Sequence, residues 1–196
     1  MDLITNVLLS FTYVFAIGSI MGWFLEVVFR RFFSKNNPKK KWINPGYFQG
    51  PYIPLYGFSL IVLFAMSHIP VDFIENPISG KIILFIIMAL AITLLEYLVG
   101  SIYLNIFKIK LWDYSGERCN IKGIVCPKFS LYWMALCIAY YFFLHPGLVS
   151  LIFWLKAHPS FSPLFGLFYG ALLIDLFFVI RKKMLISIVP YFSSIV

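Results

Sequence analysis

Long apolar runs separated by short basic segments dominate this chain. Leu3 to Phe29 carries no charge before Glu26, and further runs cover about Ile53–His68, Ile82–Phe107, a stretch from Phe129, and Pro163–Ile180. A hydrocarbon core about 30 Å thick takes roughly 20 apolar residues per helix. The pattern therefore predicts an all-α polytopic membrane protein with about five transmembrane helices. The second run is near the lower limit of length, and Gly50, Pro51, Pro54 and Gly57 interrupt its entry. Interrupted entries leave backbone groups unpaired, so this one must be buried in protein or line an aqueous cavity. The fourth run meets His145-Pro146-Gly147. It either kinks there and continues, or ends and leaves LVSLIFWLKAHP in the outer interface. The tail 184–196 is too short to span and contains Pro190, so it is expected to break there and lie on the inner surface.

Two stretches match each other. Leu94 to Trp133 passes from an acid within an apolar helix, Glu96, through a basic and aromatic loop into another apolar helix. Leu25 to Leu60 does the same from Glu26. Glu26 to Trp42 and Glu96 to Trp112 are both sixteen residues apart, Gly50-x3-Pro54 answers Gly123-x3-Pro127, and Phe58-Ser59-Leu60 answers Phe129-Ser130-Leu131. These correspondences predict two parallel helix-loop-helix repeats, about 11–69 and 81–155, followed by a fifth helix at about 163–180. All belong to one transmembrane domain, 1–196.

Composition sharpens the membrane reading. With 61% hydrophobic and 12% charged residues, the chain lacks the polar groups to cover a water-facing surface. MDLITN has no basic region before its apolar run, so the first helix is expected to be retained and not cleaved as a signal. The net charge of +8 is not a nucleic-acid signature, because fourteen of the sixteen Lys and Arg residues fall in 30–41, 108–128 and 181–183, after alternate spans. That arrangement predicts a multi-pass protein of the cell membrane with the N-terminus outside and both loops and the C-terminus in the cytosol. Attraction to anionic lipid head groups adds to it. Cys119 and Cys126 then lie in a reducing compartment, and their spacing matches no zinc motif.

Glu26, Glu96 and Asp175 are the acids within the spans. Such residues are rare in membrane helices, face the bundle interior and mark functional sites, or else pair with a cation such as Arg30 or Arg181. Glu96 has the least local relief, since its nearest basic residue in sequence is Lys108. These three acids with Tyr97, Trp112 and Asp113 form the candidate substrate or coupling site. Trp42 and Trp112 also fit interfacial anchors, and Asp113-Tyr114-Ser115 a capped turn. His68, His145 and His158 fall at the opposite face near Asp72 and Glu75, but in no ligand spacing, so no metal and no cofactor is expected. In the first apolar run, Gly18, Gly22, Glu26 and Arg30 recur every four residues, and Gly166 and Gly170 repeat the spacing later. Such small-residue faces suit close helix packing and suggest a homodimer.

Asn44-x-Gly46-Tyr47-Phe48-x-Gly50-Pro51-x-x-Pro54-x-Tyr56-Gly57, Leu95-Glu96-Tyr97-x-x-Gly100, Trp112-Asp113-Tyr114-Ser115 and Asn120-x-x-Gly123-x-Val125-Cys126 together resemble the type IV ABC transporter permease family, the CmpB-like proteins. Pro45 stands where that pattern is expected to carry a basic residue. The resemblance implies a permease component working with a separate ATPase on the cytosolic side. The chain has no G-x-x-x-x-G-K-[ST] phosphate loop of its own. The residues by themselves also leave open an intramembrane enzyme using Glu26 and Glu96 on a lipid or isoprenoid, or a non-catalytic scaffold.

Overall fold

α1 (Leu3–Phe32) carries the first apolar run past Glu26 to a basic last turn, Arg30 and Arg31. In the computed structural model, which describes residues 3–34, 37–71 and 76–192 and the side chains among these up to Arg181, it is followed by α2 (Pro54–Met66), α3 (Pro77–Asn105) and α4 (Pro127–Ala139). A π-helical turn (Tyr140–Leu144), α5 (His145–Ala157), a 3-10 turn (Pro159–Phe161) and α6 (Ser162–Phe192) complete the described elements. Asp72 and Glu75 lie outside the described residues.

Four helical segments are long and apolar enough to cross a membrane: Leu3–Phe32, Pro77–Asn105, Pro127–Ala157 and Pro159–Arg181. The second expected span, about Ile53–His68 and already near the lower limit, is shorter still. α2 has 13 residues, which at 1.5 Å per residue reach only about 20 Å. The reason lies in the chain before it. Trp23 Nε1 donates to Asn44 Oδ1 at 2.8 Å, and the Ile53 amide donates to the Ser19 carbonyl at 2.9 Å. Ser19 precedes the end of α1 by thirteen residues, or about 20 Å of helix. The segment from Trp42 to Ile53 thus folds back along α1, and α2 starts deep, at Pro54 in the first helical turn, where its missing N–H costs nothing.

The fourth run continues past Pro146. Pro146 has no N–H and its ring would strike the carbonyl four residues back. The turn before it widens to π geometry, in which the His145 amide bonds the Tyr140 carbonyl. Tyr140 Oη and His145 Nδ1, 2.8 Å apart, hydrogen-bond across the same turn. Leu148–Ala157 therefore continues one long helical segment, Pro127–Ala157, and is not a separate piece after a break. The tail also departs from expectation. α6 continues through Pro190 to Phe192 instead of breaking there.

α1 packs along α2, α3 along α4, and α2 against α3. Their shared core includes Val14, Leu63, Met88, Ile92, Cys137 and Ile152. α6 is the peripheral helix, attached mainly through α1: Tyr169 Oη donates to the Thr12 carbonyl, and Phe168 meets Phe15 and Tyr52 edge-on. The two glycine faces part company. Gly18 and Gly22 are occupied within the chain, since a Cβ at Gly22 would collide with the Tyr56 side chain and one at Gly18 would fall 2.8 Å from Leu60. Gly57 presses in turn on Ser19 and the Phe15 backbone. A Cβ at Gly166 or Gly170 would meet no neighbouring element within 4 Å.

This contrast yields a test. Gly22→Leu or Gly57→Leu should each cost roughly 1–3 kcal/mol or more by forcing α1 from α2, seen as a lowered unfolding temperature and loss of the monodisperse peak in detergent. Gly166→Leu should leave both unchanged in the monomer. Equal tolerance at Gly22 and Gly166 would contradict the packing described.

Candidate functional site

Glu26 and Glu96 sit on the C-terminal halves of α1 and α3 and Asp175 near the middle of α6, and their partners come from neighbouring helices and from the two loops. Glu26 is half-buried and has both oxygens engaged. Arg30 Nε donates to Oε1 at 2.9 Å, one turn along α1, and Tyr56 Oη of α2 donates to Oε2 at 3.0 Å. The intrahelical pair anticipated from the four-residue spacing is therefore present.

Glu96 is different in kind. It is 3% exposed and accepts from Tyr114 Oη at 3.1 Å and Trp133 Nε1 at 2.9 Å. No cation pairs with it among the described residues. The Tyr56 and Trp133 rings have centroids 5.7 Å apart. A continuous chain thus links the two helices: Glu26, Tyr56, Trp133, Glu96, with Tyr114 closing it from the loop side. Thr93 Oγ1 donates to Ser130 Oγ at 3.0 Å one turn further in.

Asp175, 8% exposed, does not pair with Arg181. Its Oδ2 accepts from the Gln49 amide at 2.7 Å, the Gly50 amide at 3.1 Å and Tyr52 Oη at 2.9 Å. The α6 carboxylate thereby fastens the first loop instead of joining the Glu26–Glu96 chain.

The second loop is folded by its own polar residues. Asp113 Oδ1 accepts from Lys110 Nζ, the Ser115 amide and Ser115 Oγ. Its hydrogen bonds to Ser115 first, then Lys110, hold the carboxyl down to about 2. Asn120 donates to the Ser115 and Glu117 carbonyls and accepts from the Gly123 amide. Gly123 at φ 69° meets Ser115 and Asp113 so closely that a Cβ would collide with them. The Gly123 carbonyl accepts from the Tyr114 amide. This turn aims Tyr114 upward, stacked on Phe129 at 4.1 Å. Burial and the Glu96 charge raise the Tyr114 phenol well above its ordinary range, so it remains a proton donor. Trp112 Nε1 donates to the Ile124 carbonyl at 2.7 Å, and both residues close on Gly100. Buried Cys126 supplies the extended N-cap of α4.

Of the expected site residues, Glu26, Glu96, Tyr56 and Tyr114 come together. Trp112, Asp113, Ser115, Asn120, Gly123 and Cys126 build the loop beneath them. Asn44, Gly46, Phe48 and Gln49 form a comparable knot, with Asn44 Nδ2 donating to the Phe48 and Gln49 carbonyls and Oδ1 accepting from the Gly46 amide. Gly50 leaves room for the Tyr52 ring. Pro51 continues the re-entrant segment, while Pro54 and Gly57 set the start and packing of α2. Tyr97 is half-buried and joins none of these hydrogen bonds. Trp42 and Trp112, matched in spacing, have unlike surroundings, since Trp42 is 62% exposed. Sequence reasoning missed Trp133, which lies 37 residues from the acid it serves, and the backbone donors of Asp175. At the other end, His68 and His145 are ring neighbours with centroids 5.0 Å apart, whereas His158 stacks on Trp154. No group able to hold a metal occurs among the described residues.

The family model described as "Putative ABC-transporter type IV" matches residues 13–180. The chain belongs to this family. The matched region contains all three acids and both loops. No curated protein and no solved structure matches the chain.

Asp175→Ala would strand two amides and a phenol, and should destabilise the fold by about 1–3 kcal/mol, against about 1 kcal/mol for Tyr52→Phe, as measured by chemical denaturation in detergent.

Proposed function

We propose that this chain is the membrane-embedded permease component of a transport system whose ATPase is a separate polypeptide. The chain Glu26–Tyr56–Trp133–Glu96 carries the reading. Acids inside membrane helices mark substrate or ion pathways by default, and here two of them share one aromatic lining, covered on a single side by a folded loop. Tyr114 is the group that must move if cargo or a coupling ion is to reach Glu96 from that side.

The matched hairpins are part of the proposal. α1 with α2 and α3 with α4 each place a carboxylate on the first helix, a re-entrant loop below it, and a second helix that begins at a proline after an extended residue, Ile53 or Cys126. Parallel repeats account for that likeness. The two lysine-rich loops and the end of α6 share one end of the bundle, and their charges favour the cytosol of a cell membrane, with the N-terminus outside. Docking of the ATPase on the second loop follows, as does dimerisation through the open Gly166–Gly170 face, because so few spans cannot enclose a full pathway.

An intramembrane lipid enzyme is less well supported. The apolar surface grooves run along α1, α5 and α6, lined by residues such as Ile17, Leu155 and Phe165 or Phe24 and Val28, and neither is lined by Glu96.

The test is photo-crosslinking in native membranes from a probe at Arg118, on the exposed loop face, followed by mass spectrometry. Crosslinks to a protein bearing a phosphate-binding loop are expected, and recovery of this chain's own copies alone would refute the ATPase partnership. With the complex in hand, Glu96→Gln should leave expression intact and lower transport-coupled ATP hydrolysis at least tenfold. Glu96→Leu should also fold poorly, because Tyr114 and Trp133 lose their acceptor. Full activity in Glu96→Gln would remove Glu96 from the pathway.

A further inference from the structure

The cations of the two loops are only partly paired. In the second loop Lys110 pairs with Asp113 at 3.0 Å and Lys128 with Glu117 at 2.7 Å, while Lys108, Arg118 and Lys122 have no carboxylate partner among the described residues. In the first, Arg31, Lys39, Lys40 and Lys41 have no acidic partner among the described residues. They are nonetheless held in a built turn. Asn37, 7% exposed, donates to the Arg30 and Lys41 carbonyls and accepts from the Lys41 amide. Arg31 Nη1 donates to the Lys40 carbonyl at 2.7 Å, which secures Lys40 at a left-handed φ of 49°. The Arg31 guanidinium lies 4.2 Å from the Trp42 ring centroid. Like charges are thus gathered on one turn without neutralisation.

Directly above this turn runs an apolar groove of about 580 Å³ on α1, lined by Ile20, Met21, Trp23, Phe24, Leu25 and Val28. Phe24, Val28 and Arg31 follow the spacing of one helix face. At 100° per residue Arg31 projects within about 20° of Phe24. From Ile20 to Arg31 the rise is about 16 Å, half of a hydrocarbon core some 30 Å thick. Exposed Phe32, Phe33 and Trp42 flank the cations at its mouth, where aromatic rings sit at the depth of lipid head groups.

We infer that this face is a binding site for one anionic phospholipid of the leaflet at the C-terminal end of α1, its phosphate on Arg31, Lys39 and Lys41 and an acyl chain in the groove. A groove one leaflet long that ends in uncompensated cations matches both halves of such a molecule. An acidic protein surface would answer the charges but leave the groove empty. The site stands independently of the transport reading, since it uses neither Glu26 nor Glu96 and requires no partner chain.

Native mass spectrometry of the detergent-solubilised chain, mixed with equal amounts of phosphatidylglycerol and phosphatidylcholine of the same acyl composition, tests it. The unaltered protein should retain one phosphatidylglycerol in preference by roughly tenfold or more, and Lys39→Gln with Lys41→Gln should reduce that preference to within about twofold. Lys110→Gln, whose charge is already paired, should leave it unchanged. Leu25→Trp, which fills the groove, should lower retention of both lipids while the unfolding temperature holds. Equal retention of the two lipids by the unaltered chain would overturn the site. So would a preference that survives the double lysine change, and in that case loss of ATPase crosslinks in the same variant would assign these cations to a protein partner.

Discussion

An acid inside an apolar helix must find donors at its own depth, and this requirement shapes the fold. A carboxylate at a membrane helix centre costs about 2.5–3.5 kcal/mol on insertion scales, and water is not at hand to offset it. Glu26 is relieved partly by its own helix through Arg30. Glu96 and Asp175 have no such neighbour, so their donors come from chain that turns back into the bundle: Tyr114 for one, and the Gln49 and Gly50 amides with Tyr52 for the other. The re-entrant loops and the buried acids satisfy each other, since exposed backbone amides are as costly there as bare carboxylates.

The helix lengths follow from the same constraint. Because residues 42–53 run back along the C-terminal part of α1, α2 packs only against the part that remains, and its start is marked by Pro54 just as Pro127 marks α4. Close approach then falls on glycine. Gly22 admits Tyr56 on its way to Glu26, Gly100 admits Ile124 and Trp112, and Gly123 adopts the left-handed turn from which Tyr114 rises. The motif glycines and the motif acids are two parts of one device.

Much of this was legible in the chain. Apolar runs located the long helices, the rarity of acids within them singled out Glu26, Glu96 and Asp175, and the ordered Gly, Pro, Trp and Tyr motifs pointed to the family. The short second run and its Gly and Pro entry were legible too, but not that residues 42–53 fold back along α1, which rests on the Trp23–Asn44 and Ile53–Ser19 hydrogen bonds. Pro146 was ambiguous because local sequence does not decide whether a turn widens to π geometry. Arg181, offered as an alternative partner for Asp175, is not the one found, since sequence proximity shows cations but not amides arriving from 126 residues away. Trp133 eluded detection for the same reason, being related to Glu96 by packing of α3 on α4 and by no spacing.

The two linked carboxylates are not equivalent, and the difference bears on which could exchange a ligand. Removing charge from Glu26, by protonation or by a bound cation, leaves Arg30 without its partner in a half-buried position, which is costly. Removing charge from Glu96 strands nothing charged, because Tyr114 and Trp133 are neutral donors that can still hydrogen-bond a carboxylic acid or yield to a cation. Tyr114 also belongs to a loop whose two carboxylates, Asp113 and Glu117, already have Lys110 and Lys128 as partners, so neither depends on Glu96 or its donors. Of the pair, Glu96 has the surroundings of an exchangeable site and Glu26 those of a fixed one, and the Tyr56–Trp133 contact is the path by which a change at the first would reach the second.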